Sequence, residues 1–243
     1  MNRSSAIIIP ARYASSRFPG KPLAEILGKP MIIWVWEKCI EAIGQDHVYV
    51  ATDDERIKRT CEKEGINVLM TGTDCLTGTD RVYDASTQIE ADILINVQGD
   101  EPLVKPQDIK LVIKQAERFP DKVINAMCSI KEEKDFFSPT VPKVVARPDG
   151  RLLYMSRSGI PSNKQLEFVN AKKQVCIYAF PKKALADFYN QGSKTPLEKV
   201  EDIEILRFLE MGYDVLMIEV SDSSIAVDVP SDIERVEKVL ENQ

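Results

Sequence analysis

At 243 residues, with 44% hydrophobic and 29% charged side chains and a net charge of −6, the chain can bury a sizeable core and is ordinary in composition. The acidic balance argues against nucleic acid as a partner, and no apolar run approaches the roughly 18 residues that cross a membrane. Residues 6–10 make too short a run for a signal-peptide core, so a cytoplasmic protein is expected.

Cysteine and histidine usage narrows the chemistry. The cysteines, Cys39, Cys61, Cys75, Cys128 and Cys176, form no C-x-x-C pair, and His47 is the single histidine. This argues against a disulfide framework, a zinc site and histidine-based triads. Carboxylates, Lys, Arg and backbone amides are left to carry any reaction.

In chain order, residues 6–10 read as a buried strand, apolar on both faces. Pro30 opens a helix with Met31, Ile32, Val35, Cys39, Ile40 and Ile43 at 3-4 spacing. A strand over 47–52, a charged helix over 54–64 ended by Gly65, a strand over 66–70, a helix over 79–89 and an apolar strand over 92–97 follow. Residues 106–118 read as helix and 122–130 as strand. Such alternation predicts an α/β fold, a mostly parallel, Rossmann-like sheet flanked by helices.

The second half adds a small antiparallel insertion. Strands over 142–147 and 151–156 surround Asp149-Gly150, a hairpin signal. A polar loop over 158–173, a strand over 174–180, helices over 181–190 and 196–211, a strand over 214–220 and a helix over 230–241 complete the reading. No repeat or long linker divides the chain, so a single domain over 1–243 is expected.

Four stretches bear chemistry. Residues 10–22 leave the first strand at its carboxyl end, where open α/β sheets bind ligands. They carry Arg12, Ser15, Ser16, Arg17, Gly20 and Lys21, a set suited to wrapping a triphosphate, yet match neither a Walker A nor a G-x-G-x-x-G loop. Gln98-Gly99-Asp100-Glu101-Pro102 closes the fourth strand. Asp100 is placed either as a hard oxygen ligand for Mg²⁺ or in a plain Gly-Asp turn. Thr77-Gly78-Thr79-Asp80-Arg81 opens a helix that Thr77 or Thr79 would cap while backbone amides face a ligand. Asp228 follows a short apolar piece, as a second metal ligand or as helix-start chemistry, and Asp232 reads as compensation of the helix dipole. Glu198, Glu201 and Glu204 recur on one helical face, which by itself reads as that helix's wet side.

The motifs I-I-P-A-R-Y-A-S-S-R-F-P-G-K-P-L, A-T-D-D-E, T-G-T-D-R, N-V-Q-G-D-E-P, P-K-V-V, L-Y-M-S-R-S-G-I-P and V-D-V-P-S-D-I-E-R-V occur in this order. Together they resemble the 3-deoxy-manno-octulosonate (KDO) cytidylyltransferase family from Ile7 to about Val239. The resemblance implies a nucleotide-diphospho-sugar transferase fold and CMP transfer from CTP to the anomeric hydroxyl of a sugar acid. It implies a homodimer, with CTP and the sugar acid as ligands and Mg²⁺ as cofactor. Lys21, Arg12 and Asp100 would be catalytic. Ala11, Ser15, Arg17, Thr77, Gly78 and Arg81 would join Arg12 and Lys21 around the nucleotide. Gln98, Arg157, Tyr178, Glu201 and Glu204 would meet the sugar acid, and Asp100 with Asp228 would hold the metal. The halves would be 1–137 for nucleotide and 138–220 for sugar acid and dimer, with 221–243 closing the site.

The departures fall mainly in the sugar-acid half. Gln174 stands at the family's His position, Cys176 at a Gly, Ile205 at a Gln and Val229 at the Thr of V-D-T-P. This implies that CTP and Mg²⁺ use is kept while the acceptor pocket is altered. KDO, a modified KDO or another small 2-keto acid stays open as acceptor, and a non-catalytic nucleotide-binding subunit is the reading from another class.

Overall fold

The computed structural model describes residues 4–15, 18–222 and 224–242. Strand β1 (Ser5–Ala11) leads through a two-stranded ribbon, β2 (Glu25–Ile26) and β3 (Lys29–Pro30), into helix α1 (Met31–Ile43). Then come β4 (Val48–Thr52), α2 (Glu55–Lys63), β5 (Asn67–Met70), α3 (Gly78–Ser86), β6 (Ile93–Val97), α4 (Pro106–Arg118) and β7 (Val123–Ser129). The second half runs α5 (Glu133–Phe137), β8 (Lys143–Ala146), β9 (Leu152–Ser156), β10 (Lys172–Pro181), α6 (Lys182–Asn190), α7 (Pro196–Glu201), α8 (Ile205–Glu210), β11 (Val215–Glu219) and α9 (Ser231–Leu240).

The main sheet runs β11-β7-β10-β6-β1-β4-β5, with β8 beside β10 and β9 beside β8. β6, β1, β4 and β5 pair in parallel, as do β7 and β11. β10 is the exception, antiparallel to both β6 and β7. The α/β architecture is the one expected, but the antiparallel strand from the second half sits in the middle of the sheet. Among the described residues no helix is long and apolar enough to cross a membrane.

The period-2 geometry of β1 divides the core into two layers. Ile7 and Ile9 pack with Val35 and Cys39 of α1, Ile57 of α2 and Ile109 of α4. Ala6 and Ile8 pack on the opposite face with Val82 of α3, Leu185 of α6 and Phe208 of α8. Helices on both faces explain why β1 is an unbroken apolar run. His47 is exposed, and Trp36 is buried in the α1 layer.

One expected element is broken. Residues 196–211 form two helices, because Asp202 adopts φ 52° between α7 and α8. The break frees Glu204 to reach α3 instead of continuing one helical face. Arg207, fully buried, donates Nε and Nη2 to Glu198 at 2.6 Å each and Nη1 to Asp80 at 3.3 Å. Thus α7, α8 and α3 are joined by a charged knot under the cleft.

Candidate active site

The segments leaving the carboxyl ends of β1 and β6, adjacent in the sheet, frame a cleft of about 590 Å³, a size typical of small-ligand sites. On the β1 side it is lined by Ala11, Arg12, Ser15 and Lys21. Gly20 has φ 71°, its N–H donates to Tyr13 O at 2.9 Å, and a Cβ there would stand 3.1 Å from the Tyr13 ring. Glycine alone closes this turn without strain. The closure returns Lys21 to the mouth of β6, where Nζ donates to Asp100 Oδ2 at 2.6 Å and to Val227 O at 2.9 Å. Arg12 is exposed and makes no ion pair among the described residues. Arg17 lies outside the described residues.

Gly99 lets β6 pass the end of β1, since a Cβ there would stand 3.1 Å from Pro10 O. Asp100 and Glu101 follow at the rim. Val227 N–H donates to Asp100 O at 2.9 Å, bringing the Asp228 segment to the same edge. Val227 and Val236 of α9 pack with Ile26 and Leu103 to hold it there. Asp232 accepts the Asp228 and Val229 N–H groups at 2.9 and 3.0 Å, so its carboxylate shapes the turn that presents Asp228. Glu101, 4% exposed, escaped the sequence reading. Burial, then the Asp100 charge, pushes its carboxyl up to about 7, against the Ser224 hydroxyl that donates to it.

At the start of α3, Thr77 caps the helix, with Oγ1 accepting from Asp80 N–H at 3.2 Å. The amides expected to face a ligand are already engaged: Gly78 and Thr79 donate to the Glu204 carboxylate at 3.2 and 3.0 Å, and the Thr79 hydroxyl joins them. Burial nevertheless holds Glu204 above the ordinary carboxylate range. Gly78 lies against Gln98, whose Nε2 would be 2.8 Å from a Cβ at that position. Arg81 is buried at the cleft floor, with Nη2 donating to Asp53 at 3.1 Å and Nη1 to the Thr71 hydroxyl.

The far wall comes from β10. Its register against β7 shifts between Val175 and Tyr178, a β-bulge, and Gln174, Cys176 and Tyr178 line the cleft. Burial pushes both the Cys176 thiol and the Tyr178 hydroxyl, which are hydrogen-bonded to each other, well up. Arg157 also lines the cleft, but its donors serve backbone: Nε to Glu201 O, Nη1 to Pro139 O and Nη2 to Asp202 O.

Glu201 requires a correction. It is absent from the cleft wall; its carboxylate takes the Arg157 N–H at 2.9 Å, the Ser156 hydroxyl at 2.7 Å and the Tyr154 hydroxyl at 3.2 Å. Burial alone would raise it, but these donors hold it below the ordinary carboxylate range. It fastens β9 to α7. The other described site candidates, including Glu204 and Asp228, line the one cleft.

The donor set fits a hard divalent cation. Among the described residues no group of three or more His, Cys, Asp or Glu gathers to form a complete cage. Mg²⁺ needs none, since it keeps waters and takes one or two carboxylates plus substrate phosphates. Asp100 and Asp228 supply that number, and the Lys21 ammonium against Asp100 shows that this edge already favours a cation.

A cytidylyltransferase family model matches residues 6–219. The 3-deoxy-manno-octulosonate cytidylyltransferase of Geobacter metallireducens is 43% identical, over 94% of this chain and 94% of that protein. The 8-amino-3,8-dideoxy-manno-octulosonate cytidylyltransferase of Shewanella halifaxensis is 42% identical, over 93% of this chain and 94% of that protein. A solved structure of CMP:2-keto-3-deoxy-manno-octonic acid synthetase complexed with CTP superimposes with a TM-score of 0.90 at 36% identity, covering 98% of this chain and 99% of the other.

Proposed function

We propose CMP transfer from CTP to a 3-deoxy-2-keto sugar acid, KDO first among them, as the reaction of this chain, which belongs to the 3-deoxy-manno-octulosonate cytidylyltransferase family and so is a nucleotidyltransferase. The anomeric hydroxyl oxygen attacks the α-phosphorus, the bond to the bridging oxygen of the β-phosphate breaks, and pyrophosphate leaves as the hydroxyl proton is released. The observation that carries this reading is the Lys21–Asp100 pair at the shared mouth of β1 and β6, with Arg12 exposed beside it. Cations and carboxylates stand together where a phosphate chain and its metal need them.

Phosphoryl-type transfer is chiefly a matter of position and charge. Arg12 and Lys21 bind the triphosphate oxygens, and Ala11, Ser15, Thr77 and Gly78 shape the nucleotide end of the cleft. Arg81 anchors the floor through Asp53. Gln98, packed on Gly78, stands at the junction with the acceptor end, where Tyr178 forms the wall. Asp100 and Asp228 would hold Mg²⁺, which when bound neutralises phosphate charge and acidifies the attacking hydroxyl. A cytoplasmic homodimer completes the reading. Leu153 of β9 and Leu197 and Val200 of α7, 55%, 41% and 83% exposed, supply apolar surface on elements tied together by Glu201. Light scattering at micromolar protein reads the dimer as a doubled mass.

Pyrophosphate release from CTP tests the reaction, with KDO, its 8-amino-8-deoxy analogue and other 2-keto acids as acceptors. Release with KDO that stops on adding EDTA and returns with Mg²⁺ is expected. Release only with another acid moves the acceptor within the same chemistry. CTP binding without release from any acid would overturn transfer in favour of a nucleotide-binding subunit.

A further inference from the structure

The bulge in β10 has a buried support that no part of the transfer reaction accounts for. Asn125 of β7 is fully buried, and its Nδ2 donates to Val175 O and Ile177 O at 3.0 Å each, the carbonyls on either side of Cys176. Both protons of that amide are thereby used. Its Oδ1 faces Gln174, whose Nε2 donates to it at 2.9 Å. The alternative orientation of Gln174 would set two amide oxygens against each other at hydrogen-bond distance, so the network fixes which way this side chain lies. Its backbone is pinned too, with N–H donating to Pro142 O at 3.0 Å. Gln174 is half-buried in the acceptor wall, and its Oε1 accepts no hydrogen bond from any described residue.

We infer that Gln174 is a specificity-determining residue for the acceptor: Asn125 orients its amide so that Oε1, a hydrogen-bond acceptor, is presented to the sugar-acid end of the cleft, where it selects a donor group, a hydroxyl or an ammonium. Asn125 is the positioning residue. A carboxylate oxygen at that point would meet lone pair with lone pair, so the acid group of the substrate lies elsewhere in the cleft. Discrimination of this kind is large because a polar group fixed in a half-buried wall is left unpaired when its partner is missing.

The inference rests on the sugar-acid reading of the cleft, and a substrate–variant cycle separates the two. Wild-type protein and Gln174→Met, which keeps side-chain length without polar atoms, are assayed with KDO, its single-deoxy analogues and its 8-amino analogue. For the wild type, one analogue lacking the partner hydroxyl is expected to lose roughly tenfold in kcat/KM. Gln174→Met should show the same loss on KDO, carried by the acceptor KM with the CTP KM unchanged, and no further loss on that analogue. If the partner is an ammonium, the coupling appears with the 8-amino acceptor alone. An equal loss on every acceptor, or none on any, overturns the inference while leaving the transfer reading in place. A wild type silent with every sugar acid overturns both. Asn125→Ser is expected to lower the discrimination between KDO and the same analogue; discrimination at the wild-type level in a folded Asn125→Ser protein would remove Asn125 from the positioning role.

Discussion

The two ends of the cleft use charge differently. At the β1 end, Arg12 is exposed and makes no ion pair among the described residues, and Lys21 is shared between Asp100 and a carbonyl. At the acceptor end the charged side chains are committed to the scaffold. Glu204 holds the start of α3, Glu201 fastens β9, Arg157 ties three carbonyls, and Arg207 joins Glu198 to Asp80. One end keeps charge for a ligand, whereas the other spends charge on shape and leaves recognition to neutral groups such as Gln98, Gln174 and Tyr178. Substitutions of the charged residues at the first end should therefore cost rate, and substitutions of the charged residues at the second should cost stability.

Asp100→Asn is the strongest test at the nucleotide end. It keeps the size of the side chain but halves the carboxylate pair and removes the partner of Lys21. A fall in kcat of roughly 10²–10³ is expected, read by pyrophosphate release, with little change in the urea midpoint. A large stability loss with kcat preserved would show that this edge is scaffold as well. At the acceptor end, Arg207→Met leaves Glu198 and Asp80 buried without their cation. Urea denaturation should show a loss of about 3–5 kcal/mol. The double variant Glu198→Leu/Arg207→Met should recover part of it, because the pair then leaves no orphaned charge on Glu198. Failure of the double variant to recover anything would mean that Asp80 is the member that matters.

This division also explains what could be read from the sequence. The parallel half was legible because strands covered on both faces are continuous apolar runs, as in β1 and β6, and because Pro106 and Gly65 mark helix ends. The cleft was legible at its β1 and β6 edges, where Arg12, Ser15 and Lys21, close in sequence, and residues 98–101 line one wall together. The acceptor wall was not. Its geometry depends on contacts such as Glu204 to Thr79 and Asn125 to Gln174, 125 and 49 positions apart. The helical spacing of Glu198, Glu201 and Glu204 suggested one face, but the αL residue Asp202 splits that face and sends the three carboxylates to different partners. Glu101 was hidden by its neighbour, since an acidic pair gives no sign of which member is buried. The insertion of β10 between β6 and β7 likewise carries no local signal, because an apolar strand reads alike in either direction.

The smallest expected effect is also the most discriminating. Glu204 receives two backbone N–H groups and a hydroxyl, which favour its charged form, yet burial outweighs them and raises its carboxyl above the ordinary range. A carboxyl raised on folding binds more protons in the native state than in the unfolded chain, so its contribution to stability falls as pH rises. That contribution is complete below the unfolded value, roughly 4.3, and is lost as pH climbs through the higher folded value. Glu204→Gln keeps an acceptor oxygen for Gly78 and Thr79 but cannot ionise. Against this variant, the wild type should therefore lose relative stability between pH 4 and pH 8, read from urea midpoints across that range. A wild type that instead gains on the variant as pH rises would show that the α3 amides outweigh burial. The start of α3 would then be an anion site filled by the protein's own carboxylate, and the acceptor end would share the electrostatic logic of the nucleotide end.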